Sequence, residues 1–71
     1  MQITEERISN WFTYHEGTPE KQASYDAVNE SSKALCRLIL ERVPDCDDRD
    51  EALRTLRCLR MDINLAIACN G

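Results

Sequence analysis

The sequence predicts an all-α fold, in which a short N-terminal helix is followed by a long antiparallel helical hairpin. Apolar residues recur three and four positions apart through most of the chain, as they do on one face of a helix. No stretch alternates apolar and polar residues over more than a few positions, so strands are not expected. Gly17 and Pro44 divide the 71 residues into three segments of a single small domain.

The first helix is expected over about 4–12. Ile8, Trp11 and Phe12 follow helical spacing, and Thr4 is placed to accept a hydrogen bond as the N-cap.

The first long helix is expected over about 18–43. Thr18 offers an N-cap oxygen, and Pro19 suits the first helical position because its missing N–H has no partner there anyway. Pro44 ends the helix. Its apolar positions, with Ser32 between them, are Tyr25, Val28, Leu35 and Ile39.

The second long helix is expected over about 48–69, with Asp47 or Asp48 as its cap and Asn70-Gly71 at its end. Because the connection after Pro44 is short, the two long helices must be antiparallel, turning near Cys46. The apolar face of this helix comprises Ala52, Leu53, Leu56, Leu59, Ile63, Ala66 and Ile67.

The apolar surface is wider than one antiparallel neighbour can cover. Four leucines are expected to point away from the seam between the long helices: Leu38, Leu40, Leu59 and Leu65. Monomers rarely expose such patches, and a chain below about 80 residues seldom builds a sufficient core alone. We therefore expect a homo-oligomeric helical bundle.

Composition excludes several functional classes. A net charge of −4 and a pI near 4.8 argue against a protein that binds DNA or RNA duplexes by bulk charge. No apolar run is long enough to span a membrane, and the N-terminal sequence does not resemble a signal peptide, so an intracellular chain is expected. The sequence has one histidine and no recognisable catalytic motif, so we expect neither an enzyme nor a cofactor.

The four cysteines are expected to be free thiols. They lie ten to twelve residues apart without a CxxC pair, and the histidine is remote, so a structural zinc site is disfavoured and no metal is predicted. The cysteines are Cys36, Cys46, Cys58 and Cys69.

Basic residues are predicted to gather at the middle of the hairpin. A turn near Cys46 would place position 33 opposite about 60, and position 37 opposite about 56. The cations concerned are Lys33, Arg37, Arg57 and Arg60, with Arg54 nearby. They form either an anion site that symmetry multiplies or a solvated face with ion pairs inside each helix, to Glu30, Glu41 or Asp50.

The segment between the first two helices is a second candidate site. Trp11, Tyr14 and His15 offer flat side chains beside the helix start at Thr18, whose free N–H groups suit a nucleotide phosphate. The alternative for Trp11 and Phe12 is packing in the core. Tyr14 and His15 fall in the break between helices, where ligand contact is as plausible as a structural role.

The chain resembles the helical-hairpin domain of phage anti-defence sponges, the second anti-CBASS family and the related Thoeris anti-defence proteins. The resemblance extends from Ile8 to Asn70. It rests on FTYH-x-x-TP-x-x-Q, which begins at Phe12, and on the late segment Asn64-x-Ala66-Ile67-Ala68.

This resemblance implies a hexamer that captures cyclic oligonucleotide immune signals in the cytoplasm of the infected bacterial host without degrading them. Cyclic dinucleotides would bind between neighbouring chains and cyclic trinucleotides near the three-fold axes. Tyr14 would stack on a base, and Asn64 would belong to the binding surface. Asn29 stands where relatives place a lysine or arginine, and Lys33 is one turn away to compensate. The alternative from another class is a small protein-interaction adaptor without a nucleotide ligand.

Overall fold

A computed structural model describes residues 2–70 and contains three helices. Helix α1 spans Glu5–Phe12, α2 spans Pro19–Arg42 and α3 spans Asp47–Asn70, with no strand among these residues. The prediction of an all-helical chain is confirmed, and each helix lies within one or two residues of its expected bounds. Met1 and Gly71, and with them the predicted Gly71 helix end, lie outside the described residues.

The starts of α1 and α2 use the predicted caps. The Thr4 hydroxyl accepts a hydrogen bond from the Arg7 backbone N–H at 3.2 Å, and the Thr18 hydroxyl accepts one from the Lys21 backbone N–H at 3.1 Å. Pro19 is the first residue of α2. These side chains satisfy backbone donors that lack a partner within the helix.

The start of α3 differs from the prediction that Asp47 or Asp48 caps it. Both residues lie inside the first turn, and the first backbone hydrogen bond runs from the Asp50 N–H to the Cys46 carbonyl at 3.2 Å. Their carboxylates interact favourably with the helix dipole instead. The Arg49 guanidinium reaches back to Asp45 at 3.1 Å, closing the connection between the helices.

The long helices pack through a seam with heptad-like spacing. The prediction placed Leu35 in this seam, but its side chain is 43% exposed and Cys36 is half-buried instead. The half-buried positions at the centre of the seam are Tyr25, Val28, Ser32, Cys36 and Ile39 on α2, and Leu53, Leu56, Arg60, Ile63 and Ile67 on α3.

Two contacts across the seam define the helix register. Lys21 Nζ donates to the Ala68 carbonyl at 3.0 Å, and Arg60 Nη1 donates to Asn29 Oδ1 at 3.3 Å. Position 33 therefore lies opposite about 56 and position 37 opposite about 52. The predicted register is wrong by one helical turn, because the chain reverses between positions 44 and 45 rather than at Cys46.

The helices enclose no core of their own. None of the described residues is fully buried, and the radius of gyration is 15.4 Å, whereas a compact chain of this length has about 11 Å. The four leucines predicted to lie off the seam are between 49% and 61% exposed, which confirms that prediction. Within residues 2–70, none of the helices combines the length and apolar character that crossing a membrane requires.

Candidate functional site

A groove of about 570 Å³ follows one side of the seam, and we call it the cationic groove. Lys33, Arg57 and Arg60 line it together with Leu53 and Leu56. No Asp or Glu of the described chain lines it. The groove also includes Asn29, Ser32 and Cys36. Its volume falls within the roughly 300–1,000 Å³ typical of small-molecule sites.

The three cations of the groove differ in their partners. Arg60 is half-buried and donates to Asn29, while Lys33 pairs with Glu30 at 3.2 Å on the exposed surface, as the solvated-face alternative predicted. The guanidinium of Arg57 makes no ion pair or side-chain hydrogen bond with residues 2–70. Arg57 is therefore the cation of the groove most available to an external anion.

The structure does not bring the fourth predicted cation, Arg37, to the cationic groove. The predicted cluster required Arg37 to face position 56, and the actual register places it one turn farther toward the connection between the helices. Arg54 is engaged with Glu51 at 3.2 Å in an exposed pair on α3. The predicted array of four cations is thus an array of three.

A second, shallower pocket continues the cationic groove toward the C-terminal end of α3, and the two share Asn29. Tyr25, Met61 and Asn64 line this pocket. Asn64 Oδ1 is buried and has no hydrogen-bond partner among the described residues. A buried amide oxygen without a partner is an acceptor that a ligand donor can satisfy.

The aromatic segment lies at the other end of the hairpin. Tyr14 and Phe12 are 87% and 85% exposed, so the prediction that Phe12 packs in the core is wrong, while Trp11 is 40% exposed beside the end of α3. His15 is half-buried, and its Nε2 donates to the Asn10 carbonyl at 2.6 Å. Of the three aromatic rings Trp11, Phe12 and Tyr14, that of Tyr14 is the most exposed.

The segment is held in place through α3. Asn10 Nδ2 donates to the Cys69 carbonyl at 3.3 Å, and Lys21 Nζ donates to the Ala68 carbonyl. Both bonds satisfy carbonyls that the last turn of a helix leaves without an internal partner. These contacts hold Tyr14 near the end of the hairpin rather than near its middle.

The two predicted sites are far apart within one chain. From Thr18 to Lys33, α2 rises by about 22 Å at 1.5 Å per residue. A single small nucleotide cannot span Tyr14, His15 and the cationic groove of the same chain. If one ligand contacts both, the aromatic segment must come from a neighbouring chain.

Sequence reasoning missed that Leu53 and Leu56 line the groove and that Met61 lines the adjoining pocket. Met61 lies four residues after Arg57 and three before Asn64, so helical spacing alone places the three on one strip of α3. Hydrophobic spacing assigns Leu53 and Leu56 only to packing between the helices. Their second role was missed because α2 and α3 do not cover each other completely. Residues at the edge of the helix contact therefore stay accessible to a ligand.

Among residues 2–70, no three His, Cys, Asp or Glu side chains converge on one point, and the four cysteines are not paired in disulfides. Comparisons with protein-family models, curated proteins and solved structures return no match for this chain.

Proposed function

We propose that this chain is a binding protein that captures small, anionic, ring-shaped nucleotides without chemical turnover. The observation that carries the proposal is the cationic groove, where three cations line one surface with Leu53 and Leu56 and no carboxylate of the described chain lines it. Such a surface suits a ligand that combines flat, weakly polar bases with phosphates.

Each part of the ligand has a counterpart in the groove. The bases would lie against the side chains of Leu53 and Leu56, and the phosphates would accept hydrogen bonds from Arg57, Arg60 and Lys33. Arginine is the better phosphate ligand because its planar guanidinium donates two parallel hydrogen bonds. Asn64 would accept a hydrogen bond from a base or ribose in the adjoining pocket.

The complete site would combine residues of more than one chain. The aromatic segment lies about 22 Å along α2 from the groove, so Tyr14, His15 and Thr18 would reach the same ligand only from a neighbouring copy. We therefore propose a homo-oligomer. Its proposed size, a hexamer, follows from the resemblance to the phage anti-defence sponges.

In that setting the protein would act as a sponge in the cytoplasm of an infected bacterial host. It would remove cyclic dinucleotides or cyclic trinucleotides that activate CBASS-type immunity. A trap without turnover must match its ligand in amount and bind it below its working concentration. A nanomolar dissociation constant corresponds to about −12 kcal/mol, which a rigid and preformed pocket can provide.

Calorimetry with cyclic dinucleotides, cyclic trinucleotides and cyclic ADP-ribose isomers tests the proposal. We expect at least one ligand to bind with a dissociation constant below about 1 μM. Binding no tighter than about 10 μM to every member of the panel would contradict it. Chromatography of the ligand after denaturing the protein should recover it unchanged, and a degraded ligand would indicate a phosphodiesterase instead.

The exposed leucines favour a second candidate, a helical adaptor that binds another protein through its apolar surface. Native mass spectrometry and thermal denaturation, each with and without cyclic nucleotides, separate the two functions. A sponge gains thermal stability on binding its ligand, whereas an adaptor is indifferent to it.

A further inference from the structure

The side of the hairpin opposite the cationic groove carries no charge over most of its length. We call it the uncharged face, and it comprises Ala27, Ser31, Leu35 and Leu38 of α2 with Leu59 and Ala66 of α3. Leu35, Leu38 and Leu59 are between 43% and 51% exposed. A shallow groove between Leu35 and Leu59 has small residues at its edge, which permits close approach of another helix.

The accessible area of the chain indicates that much of this surface is covered in the stable protein. The chain exposes 5881 Å², whereas a folded monomer of 8.2 kDa exposes about 4,500 Å². The excess of about 1,400 Å² exceeds the roughly 800 Å² that each partner loses in a protein interface of standard size. The excess accessible area is therefore large enough for a complete protein interface.

The absence of a core indicates which partner buries this surface. Since no described residue is fully buried, a folded chain needs a partner that is present whenever the chain is made. Another copy of the same chain meets that condition. The cationic groove does not suit self-association, because two copies would bring Lys33, Arg57 and Arg60 against their equivalents.

We propose that two copies of the chain pack through the uncharged face. Their four long helices form a bundle about a two-fold axis, in which Leu35 and Leu59 of each copy fill the shallow groove of the other. The residues of the uncharged face at the centre of this interface carry no charge, and Asp62, one turn after Leu59, lies outside the shallow groove, beside Trp11 and Leu65. Both cationic grooves remain on the outside of the bundle, and the packing does not depend on whether they bind a nucleotide.

Sedimentation equilibrium without nucleotide tests the interface, with Leu59→Lys as the disrupting variant and Leu40→Lys as its control. The two leucines match in exposure, at 51% and 50%, but Leu40 lies two helical turns after Lys33 on the cationic side. We expect the wild-type chain and L40K to stay assembled from about 1 to 100 μM. L59K should associate roughly 100-fold more weakly or worse, because it buries an unpaired charge in each copy.

A complementary pair keeps the test valid if L59K does not fold alone. Mixed in equal amounts, Leu59→Lys and Leu59→Glu should recover helicity in circular dichroism and the mass of the assembled protein, because opposite charges then share one interface. The proposal is overturned if the wild-type chain is monomeric at 100 μM, because mass action favours assembly at this high concentration. Full assembly of L59K, or equal dissociation of L40K, also overturns it.

Discussion

Arg60 and Asn29 join the two long helices at the edge of the cationic groove, where the guanidinium donates to the side-chain amide oxygen at 3.3 Å. The positive charge at this edge of the groove comes from α3, and the amide oxygen of Asn29 on α2 orients it.

Arg57→Ala is expected to weaken nucleotide binding without unfolding the protein. A hydrogen bond to a charged group contributes about 1.5–3 kcal/mol, which corresponds to roughly a 10- to 150-fold loss of affinity. Stability should change by less than about 0.5 kcal/mol, because Arg57 has no ion-pair partner among residues 2–70.

The matched control is Arg54→Ala, measured by the same calorimetric titration. Arg54 lies one turn earlier on α3, is exposed and is paired with Glu51 outside the groove. Equal losses of affinity for the two variants would show that net charge, rather than the groove, attracts the ligand.

Glu30→Gln is expected to tighten nucleotide binding. The Glu30 carboxylate holds Lys33 Nζ at 3.2 Å beside the groove, and a phosphate must compete with it. Exposed pairs of this kind contribute about 0–1 kcal/mol, so the gain in affinity should be at most about five-fold.

Glu51→Gln is the control for this substitution, because it removes an equally exposed charge whose partner, Arg54, does not line the groove. Calorimetry at one ionic strength compares the two variants, since salt screens exposed charges. If both variants bind the nucleotide more tightly, or if neither does, Lys33 does not contact the phosphate.

The helix boundaries were predictable because their signals are local. Thr4, Thr18, Pro19 and Pro44 act through backbone atoms within four residues, so their sequence positions alone define the start of α1 and both ends of α2. The register between α2 and α3 was not predictable in this way. Shifting one helix by a turn keeps its apolar stripe against the neighbour, so hydrophobic periodicity does not distinguish registers four residues apart.

This ambiguity of register also limited the prediction of the candidate site. Lys33, Arg57 and Arg60 converge in either register, because they lie on the same side of the seam. Arg37 joins them only in the predicted register, and the structure excludes it. The seam itself contains Cys36 where hydrophobicity favoured Leu35, since the phase of the stripe depends on the whole helix pair rather than on any one leucine.

Thr18→Ala is expected to destabilise the protein by about 1 kcal/mol through loss of the N-cap of α2. In a domain of this size that loss lowers the melting temperature by roughly 4–8 °C. Thr18→Ser retains the hydroxyl and should stay close to the wild-type value in thermal denaturation at equal protein concentration. A serine variant as unstable as the alanine variant would assign the effect to the methyl group of Thr18 instead of the cap.

Tyr14→Ala is expected to weaken nucleotide binding while leaving assembly intact. The ring is 87% exposed, so its removal takes away little packing within the chain. A base stacked on it would lose about 1–3 kcal/mol of binding energy, which calorimetry detects as a loss of roughly 5- to 150-fold.

Tyr14→Phe separates stacking from hydrogen bonding by the phenol, because it keeps the ring and should keep most of the affinity. Phe12→Ala controls for exposed aromatic surface in general, since Phe12 is 85% exposed only two residues away. Sedimentation of each variant reports assembly in parallel with affinity. If Tyr14→Ala dissociates the oligomer equally with and without nucleotide, Tyr14 belongs to a contact between chains. If the variant loses affinity while the oligomer stays intact, the Tyr14 ring contacts the nucleotide, because assembly then does not depend on it.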